Sequence, residues 1–159
     1  MALDLTTIRA QFPALSRPAI FLDNPAGTQV AQRVVERMSE YLVRFNANHA
    51  GAFATSRESD ASIEQSRNAA ADFLNAESPE QIVFGPNMTS LTFNVSRALA
   101  RTFNPGDTIV VTRLDHDANI TPWVMAAEDR GCRVRWVDFH PEDGTLDMED
   151  MQAALNEKP

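Results

Sequence analysis

The segment 81–123, QIVFGPNMTSLTFNVSRALARTFNPGDTIVVTRLDHDANITPW, limits what this chain can fold into more than any other. It opens on an apolar run, Ile82-Val83-Phe84, passes Gly85-Pro86-Asn87, and then repeats apolar residues at Met88, Leu91, Val95, Ala98 and Leu99. An apolar run, a tight loop and a period of three to four residues predict strand, turn and helix in that order. Asn104-Pro105-Gly106-Asp107 breaks the pattern. A second, β-branched run follows, Thr108-Ile109-Val110-Val111, then Asp115-His116-Asp117 and a further helix from about Asn119. Successive strand-to-helix turns of one βαβ unit lie at the same edge of a parallel sheet, because the crossover is right-handed and both strands run the same way. Thr89 and His116 are therefore expected to be neighbours in space.

The rest of the chain fits around this unit. Residues 1–20 hold a short amphipathic piece, Ile8 to Phe12, cut by Pro13 and Pro18, and an extended run 21–23 enters the turn Asn24-Pro25-Ala26-Gly27-Thr28. Thr28 is placed to cap a long amphipathic helix over 29–45, with Val30, Val34, Met38, Tyr41, Leu42 and Phe45 on one stripe. A loop is expected over 46–55, long enough to be functional. A second helix over 59–75 turns Ile63, Ala70, Phe73 and Leu74 inward. After the central segment come a third strand, 134–139, and a last helix from Asp147 with Met148, Met151 and Leu155 inward. Alternating strands and helices predict an α/β fold, part of a doubly wound, mainly parallel sheet preceded by N-terminal helices. Residues 1–28 read as an arm and entry turn, and 29–159 as the N-terminal part of a larger α/β domain that the chain leaves incomplete.

With 159 residues, of which 43% are hydrophobic, the chain can bury a core. Its net charge of −8 repels polyanions and argues against nucleic acid or an anionic membrane surface as a partner. The start lacks an apolar signal region and no later stretch is long and apolar enough to span a bilayer, so the expected location is the cytoplasm. Cys132 is the one cysteine, which excludes an internal disulfide and a cysteine-built metal site; no metal is expected. At the start of an apolar strand, its thiol is expected to be buried and inert.

Each candidate residue has a plain reading beside the functional one. Thr89 and Ser90 at a helix start either cap it or offer hydroxyls and free N–H groups to an anion, phosphate above all. His116 is either a polar loop residue or a group at the sheet edge where ligands of open α/β sheets bind. Asn119 either caps the next helix or bonds a ligand. Ala26 and Gly27 are explained equally by a turn and by backbone approaching a ligand. His49 lies in a loop, where solvent exposure is the plain reading; His140, beside Pro141, reads as structural, and Trp123 as core.

Asn87-Met88-Thr89-Ser90 opening one helix, the run Leu114-Asp115-His116-Asp117-Ala118-Asn119-Ile120-Thr121-Pro122-Trp123 after the next strand, and Phe21-Leu22-Asp23-Asn24-Pro25-Ala26-Gly27 near the start together resemble the class V aminotransferase group of pyridoxal-phosphate enzymes, cysteine desulfurases in particular. The resemblance covers nearly the whole chain. It implies that Met88, Thr89 and Ser90 bind the phosphate of pyridoxal 5'-phosphate, that His116 lies against the pyridine ring and assists proton transfer, and that Asn119 meets a ring substituent. It also implies that Ala26 and Gly27 approach the substrate carboxylate, and that His49 reaches the site of a neighbouring subunit in a homodimer. The implied reaction converts cysteine to alanine and passes sulfur to an enzyme thiol, with a sulfur-acceptor protein as a further partner. Two departures stand out: Asn87-Met88-Thr89-Ser90 replaces the usual Gly-Thr-Thr-Glu, and His49-Ala50-Gly51 the usual His-Arg-Gly. They leave room for lyase, epimerase or aminotransferase chemistry on the same cofactor. A non-catalytic α/β module that binds a phosphorylated ligand or a partner chain is the reading from another class. Pyridoxal phosphate chemistry needs a lysine amine and a carboxylate at the ring nitrogen. Lys158 is the chain's one lysine and lies beyond the last helix, so these 159 residues by themselves are expected to bind weakly and catalyse nothing.

Overall fold

Two parallel strands form the sheet of this protein, β1 (Thr108–Thr112) and β2 (Arg133–Val137), in a computed structural model that describes residues 3–159. The pairing is in register from Thr108 with Arg133 to Thr112 with Val137. Their β-branched residues suit a pleated, half-buried surface. The crossover is a helix over Thr121–Arg130, which begins with Pro122 in its first turn, where a missing N–H costs nothing, and ends at Gly131 in the left-handed region (φ 68°). The chain divides into two compact units, Met1–Val83 and Phe84–Pro159.

In the first unit, α1 (Leu5–Ala10) is capped by Asp4, whose carboxylate accepts the N–H groups of Thr6 and Thr7 and the Thr7 hydroxyl. Those bonds, the Thr7 hydroxyl first, hold Asp4 below its ordinary carboxylate range. α2 (Gln32–Arg44) starts three residues later than the periodicity predicts. Thr28 does not cap it, because the Thr28 hydroxyl donates back to the Asn24 carbonyl at 3.1 Å within the entry turn. α3 (Ala54–Leu74) starts earlier than predicted and shortens the loop before it. Its phase also differs from the one expected: Ser56, Ser59 and Ala71 are buried, whereas Phe73 and Leu74 are exposed. Hydroxyls with partners can take buried positions that an apolar count never assigns to them.

In the second unit, α4 (Met88–Leu99), α5 (the crossover helix) and α6 (Met148–Asn156) accompany β1 and β2. α5 packs on both strands and on α4, and α6 packs on β2. The core is built of small side chains: Ala126, Ala127, Val137 and Ala154 are almost or entirely closed to solvent. Met148 and Leu155, expected inward, are exposed, and Ala154 takes the inner position on α6. Arg135 ties β2 to α6 through Asp150 and Glu157, and hydrogen bonding to Asp150 raises its guanidinium above the ordinary value.

The first predicted strand, 82–84, is not one. The segment is without strand pairing among the described residues, and Val83 and Phe84 are largely exposed. An extended segment needs a ladder partner to become a strand, and the two-stranded sheet gives it none. Predicted strand 134–139 is shorter, 133–137, and Phe139 instead makes an isolated antiparallel bridge with Leu146. Cys132 is half-buried rather than buried, its Sγ 3.5 Å from the Asn104 carbonyl.

Candidate functional site

The site starts where α4 does. Asn87 is its N-cap: the side-chain Oδ1 accepts the Ser90 N–H at 2.8 Å, and the Asn87 carbonyl takes the Leu91 N–H at 3.2 Å. Capping by Thr89 or Ser90 is thereby corrected; both lie inside the first turn. Neither hydroxyl has a partner among the described residues, nor do the N–H groups of Met88 and Thr89. The first turn holds no acidic residue. Two free N–H groups and two free hydroxyls at the positive end of a helix dipole suit an anion.

His116 sits past the carboxyl end of β1 and opens a single 3-10 turn, Asp117–Asn119. This turn packs against α4, so the elements bearing Thr89 and His116 are neighbours, as expected, although the strand at 82–84 on which that expectation rested is not formed. His116 Nδ1 accepts the Ala118 N–H at 3.0 Å. Asp115 Oδ1 accepts the His116 N–H at 2.8 Å, and its Oδ2 accepts Asn119 Nδ2 at 2.7 Å. Asn119 does not cap α5; its Oδ1 accepts the Trp123 indole N–H at 3.4 Å, and the residue before the helix, Ile120, makes no side-chain cap. Asp115, Asn119 and Trp123 line an open groove of about 310 Å³ along the Ile109–Thr112 run of β1. None of this ladder was read from the sequence, although its spacing, Asp115, Asn119, Trp123, is a plain run of i to i+4 steps on which polar side chains meet.

Lys158 lines a second groove with Asp107 and Thr108 at the amino end of β1, one that shares Ile109 and Trp123 with the first. A five-residue strand spans about 16 Å, so this lysine lies at the opposite edge from the residues after Thr112.

The remaining candidates belong to the first unit. Ala26 and Gly27 form an exposed 3-10 turn in which the Gly27 N–H donates to the Asn24 carbonyl at 3.0 Å, and a side chain added at Gly27 would meet only open space. His49 is exposed, with Nδ1 3.5 Å from Asp60, and lines an open groove with Asp60, Ile63, Glu64 and Arg67. No helix among the described residues is long and apolar enough to cross a membrane.

The family model for class-V aminotransferases matches residues 20–159. The chain belongs to that family. A cysteine desulfurase of Pectobacterium carotovorum is 37% identical over 165 residues, covering 99% of this chain and 40% of that protein. An aminotransferase-like protein of Gibberella zeae is 34% identical over 161 residues, covering 97% of this chain and 39% of that protein. Among solved structures, the apo cysteine desulfurase of Thermococcus onnurineus matches with a TM-score of 0.84 and 30% identity, over 96% of this chain and 38% of that one. This class-V chain thus spans about 40% of the length of the curated relatives it matches.

Proposed function

We propose that this class-V chain carries the phosphate and ring side of a pyridoxal-phosphate site, in an enzyme that acts on an amino acid in the manner of a cysteine desulfurase. The observation that carries the reading is the pairing of the α4 start, with its free N–H groups and hydroxyls, against the His116 turn at the carboxyl edge of β1. Kinship with cysteine desulfurases over nearly the whole chain supports it. The donor set fits the group, since Met88 and Thr89 offer backbone N–H groups and Thr89 and Ser90 offer hydroxyls where a phosphate dianion gains from the helix dipole. Bound there, pyridoxal phosphate supplies an electron sink for bonds broken at the amino acid's α-carbon.

His116 holds the ring plane by stacking, and its ring is itself fixed by the Ala118 N–H. Asn119 offers the N–H left over from its bond to Asp115 to a ring substituent. Ala26, Gly27 and His49 are proposed for the substrate, the first two through backbone approach to its carboxylate. Cysteine plus an enzyme thiol gives alanine plus a persulfide; Cys132, with its Sγ against a carbonyl, is not offered as that thiol. The exposed Val34, Met38, Leu42 and Val43 of α2, with Phe53 after it, support a homodimer contact on that side. A sulfur-acceptor protein completes the proposed partners. A second reading keeps the cofactor and changes the outcome to elimination, epimerisation or transamination; Met88 and Ala50 at the two departures, and the aminotransferase-like relative, favour it.

Two experiments test the reading. In the enzyme that contains this chain, His116→Ala should alter the visible absorption of bound pyridoxal phosphate and slow turnover strongly, while His140→Ala does neither. Equal, small effects from both would remove His116 from the site. Thr89→Val should weaken cofactor retention by about 1.5–3 kcal/mol, roughly 10- to 150-fold in Kd, and leave cofactor-free stability unchanged. Asn87→Ala should do the reverse first, lowering cofactor-free stability by about 1 kcal/mol through the lost cap. Cofactor affinity unmoved by Thr89→Val would mean that the start of α4 is not the phosphate end.

A further inference from the structure

One set of hydrogen bonds decides which nitrogen of His116 is available. Nδ1 accepts the Ala118 N–H at 3.0 Å, so the neutral ring carries its proton on Nε2. That geometry depends on where the His116 backbone stands, and Asp115 fixes it from two sides. Asp115 Oδ1 takes the His116 N–H at 2.8 Å, and Oδ2 takes Asn119 Nδ2 at 2.7 Å, four residues on. The Asp115 N–H donates to Thr112 Oγ1 at 3.2 Å, at the last residue of β1. Beyond Asn119 the line continues to the Trp123 indole at 3.4 Å, inside α5. The Asn119 N–H closes the turn onto the His116 carbonyl at 2.8 Å. Asp115 therefore joins the end of the strand, through its backbone N–H, to the turn before α5, through its carboxylate, with His116 between them.

We infer that Asp115 is the positioning residue of this site, holding His116 as the Nε2–H tautomer so that it faces the ligand edge as a hydrogen-bond donor. The inference rests on the site reading given above and deepens it. A ring with its Nδ1 lone pair engaged and its Nε2 protonated has no free in-plane lone pair. It can donate to a ligand and stack on it, but it cannot accept a proton from the substrate without breaking the Ala118 bond. Acceptance of the substrate proton then belongs to another group, a lysine amine in this chemistry. The charged groups near the ring are Asp115, committed as described, and Asp117, whose Oδ1 accepts the Thr121 hydroxyl at 2.6 Å. The first turn of α4, packed against this turn, adds no acidic group.

The test is the ring-nitrogen spectrum of the 15N-histidine-labelled protein at neutral pH without cofactor, with His49 and His140 as internal references. His116 should show two well-separated nitrogens, the protonated one being Nε2. Asp115→Ala should collapse that separation towards the mean of exchanging tautomers, with the His49 and His140 signals unmoved. Asp115→Asn keeps one acceptor oxygen and should reduce the separation part-way. Averaged nitrogens or an Nδ1–H ring in the unaltered protein would overturn the inference, as would an undiminished separation in Asp115→Ala. If Asp115→Ala does not fold, Asp115→Asn decides, and an undiminished separation there overturns it. Adding pyridoxal phosphate to the enzyme that contains this chain separates the two claims: a fixed tautomer with no binding there leaves Asp115 in its role and sinks the cofactor reading alone.

Discussion

The loop that carries His49 is fastened from outside, whereas the loop that carries His116 is fastened mainly by its own residues. Around His49, α3 supplies the ties: Ser56 Oγ donates to the Asn48 carbonyl at 2.6 Å and accepts the Gly51 N–H at 2.7 Å. Ser59 Oγ donates to the Ala47 carbonyl at 3.1 Å and meets the Tyr41 hydroxyl at 2.8 Å, and both Asp60 oxygens accept the Ala50 N–H. Around His116 itself the side-chain bonds run between residues one to four apart, with Thr112 the contribution from β1, while Arg113 at the root of the loop reaches β2 through its N–H to the Val137 carbonyl at 2.9 Å. The first arrangement ties the loop to the helix beside it. The second ties it chiefly to its own short turn.

The same difference governs what could be read in the sequence. A self-fastened loop is written locally, so the place of His116 past the carboxyl end of β1 followed from strand, break and helix in order, whereas its neighbourhood with α4 came from a βαβ unit whose first strand is not formed. The loop expected over 46–55 carries no sign of its fastening, because Ser56 and Ser59 look like surface residues to any count of apolar spacing. Both are fully closed to solvent, and Phe73 and Leu74, which that count turned inward, face out. Asn87 was legible as a turn residue but not as the cap, since the free Thr89 and Ser90 hydroxyls two and three residues on fit a cap equally well by type. The 82–84 run failed for a different reason: its composition is that of a strand, but strand character is completed by a partner the two-stranded sheet does not provide.

The largest expected effect lies in the first loop. Ser56→Ala removes one donor and one acceptor from a fully closed position and strands the Gly51 N–H and the Asn48 carbonyl. It should lower stability by about 3 kcal/mol, read as a lower urea midpoint by far-UV circular dichroism with the slope unchanged. A loss below about 1 kcal/mol would mean that water replaces the hydroxyl and that the loop is not held from α3.

Thr112→Val is the matching change in the second loop. It keeps the strand's shape and deletes the side-chain tie from β1, the acceptor for the exposed Asp115 N–H. Water can replace it there, so the loss should be about 0.5–1 kcal/mol in the same assay. An effect as large as that of Ser56→Ala would erase the distinction between the two loops.

An effect of comparable size has the opposite sign. Ala50 has φ 63°, the left-handed region, and is one of three non-glycine residues with positive φ among the described residues. For alanine that conformation costs roughly 1–2 kcal/mol, and it persists here because Asp60 accepts the Ala50 N–H with both oxygens, at 3.2 and 3.0 Å. Glycine adopts the same conformation freely but loosens the unfolded chain, which returns about 0.4–1 kcal/mol. Ala50→Gly should therefore stabilise by about 0.5–1 kcal/mol, a rise in Tm of about 1–4 °C for a chain of this size. The coupling sharpens the point. If Asp60 holds a strained residue in place, Asp60→Ala should be less damaging in the Ala50→Gly background than in the unaltered protein, because glycine needs less holding. Additive effects of the two substitutions would show that the carboxylate and the backbone conformation are independent. The loop would then be held by its serines alone.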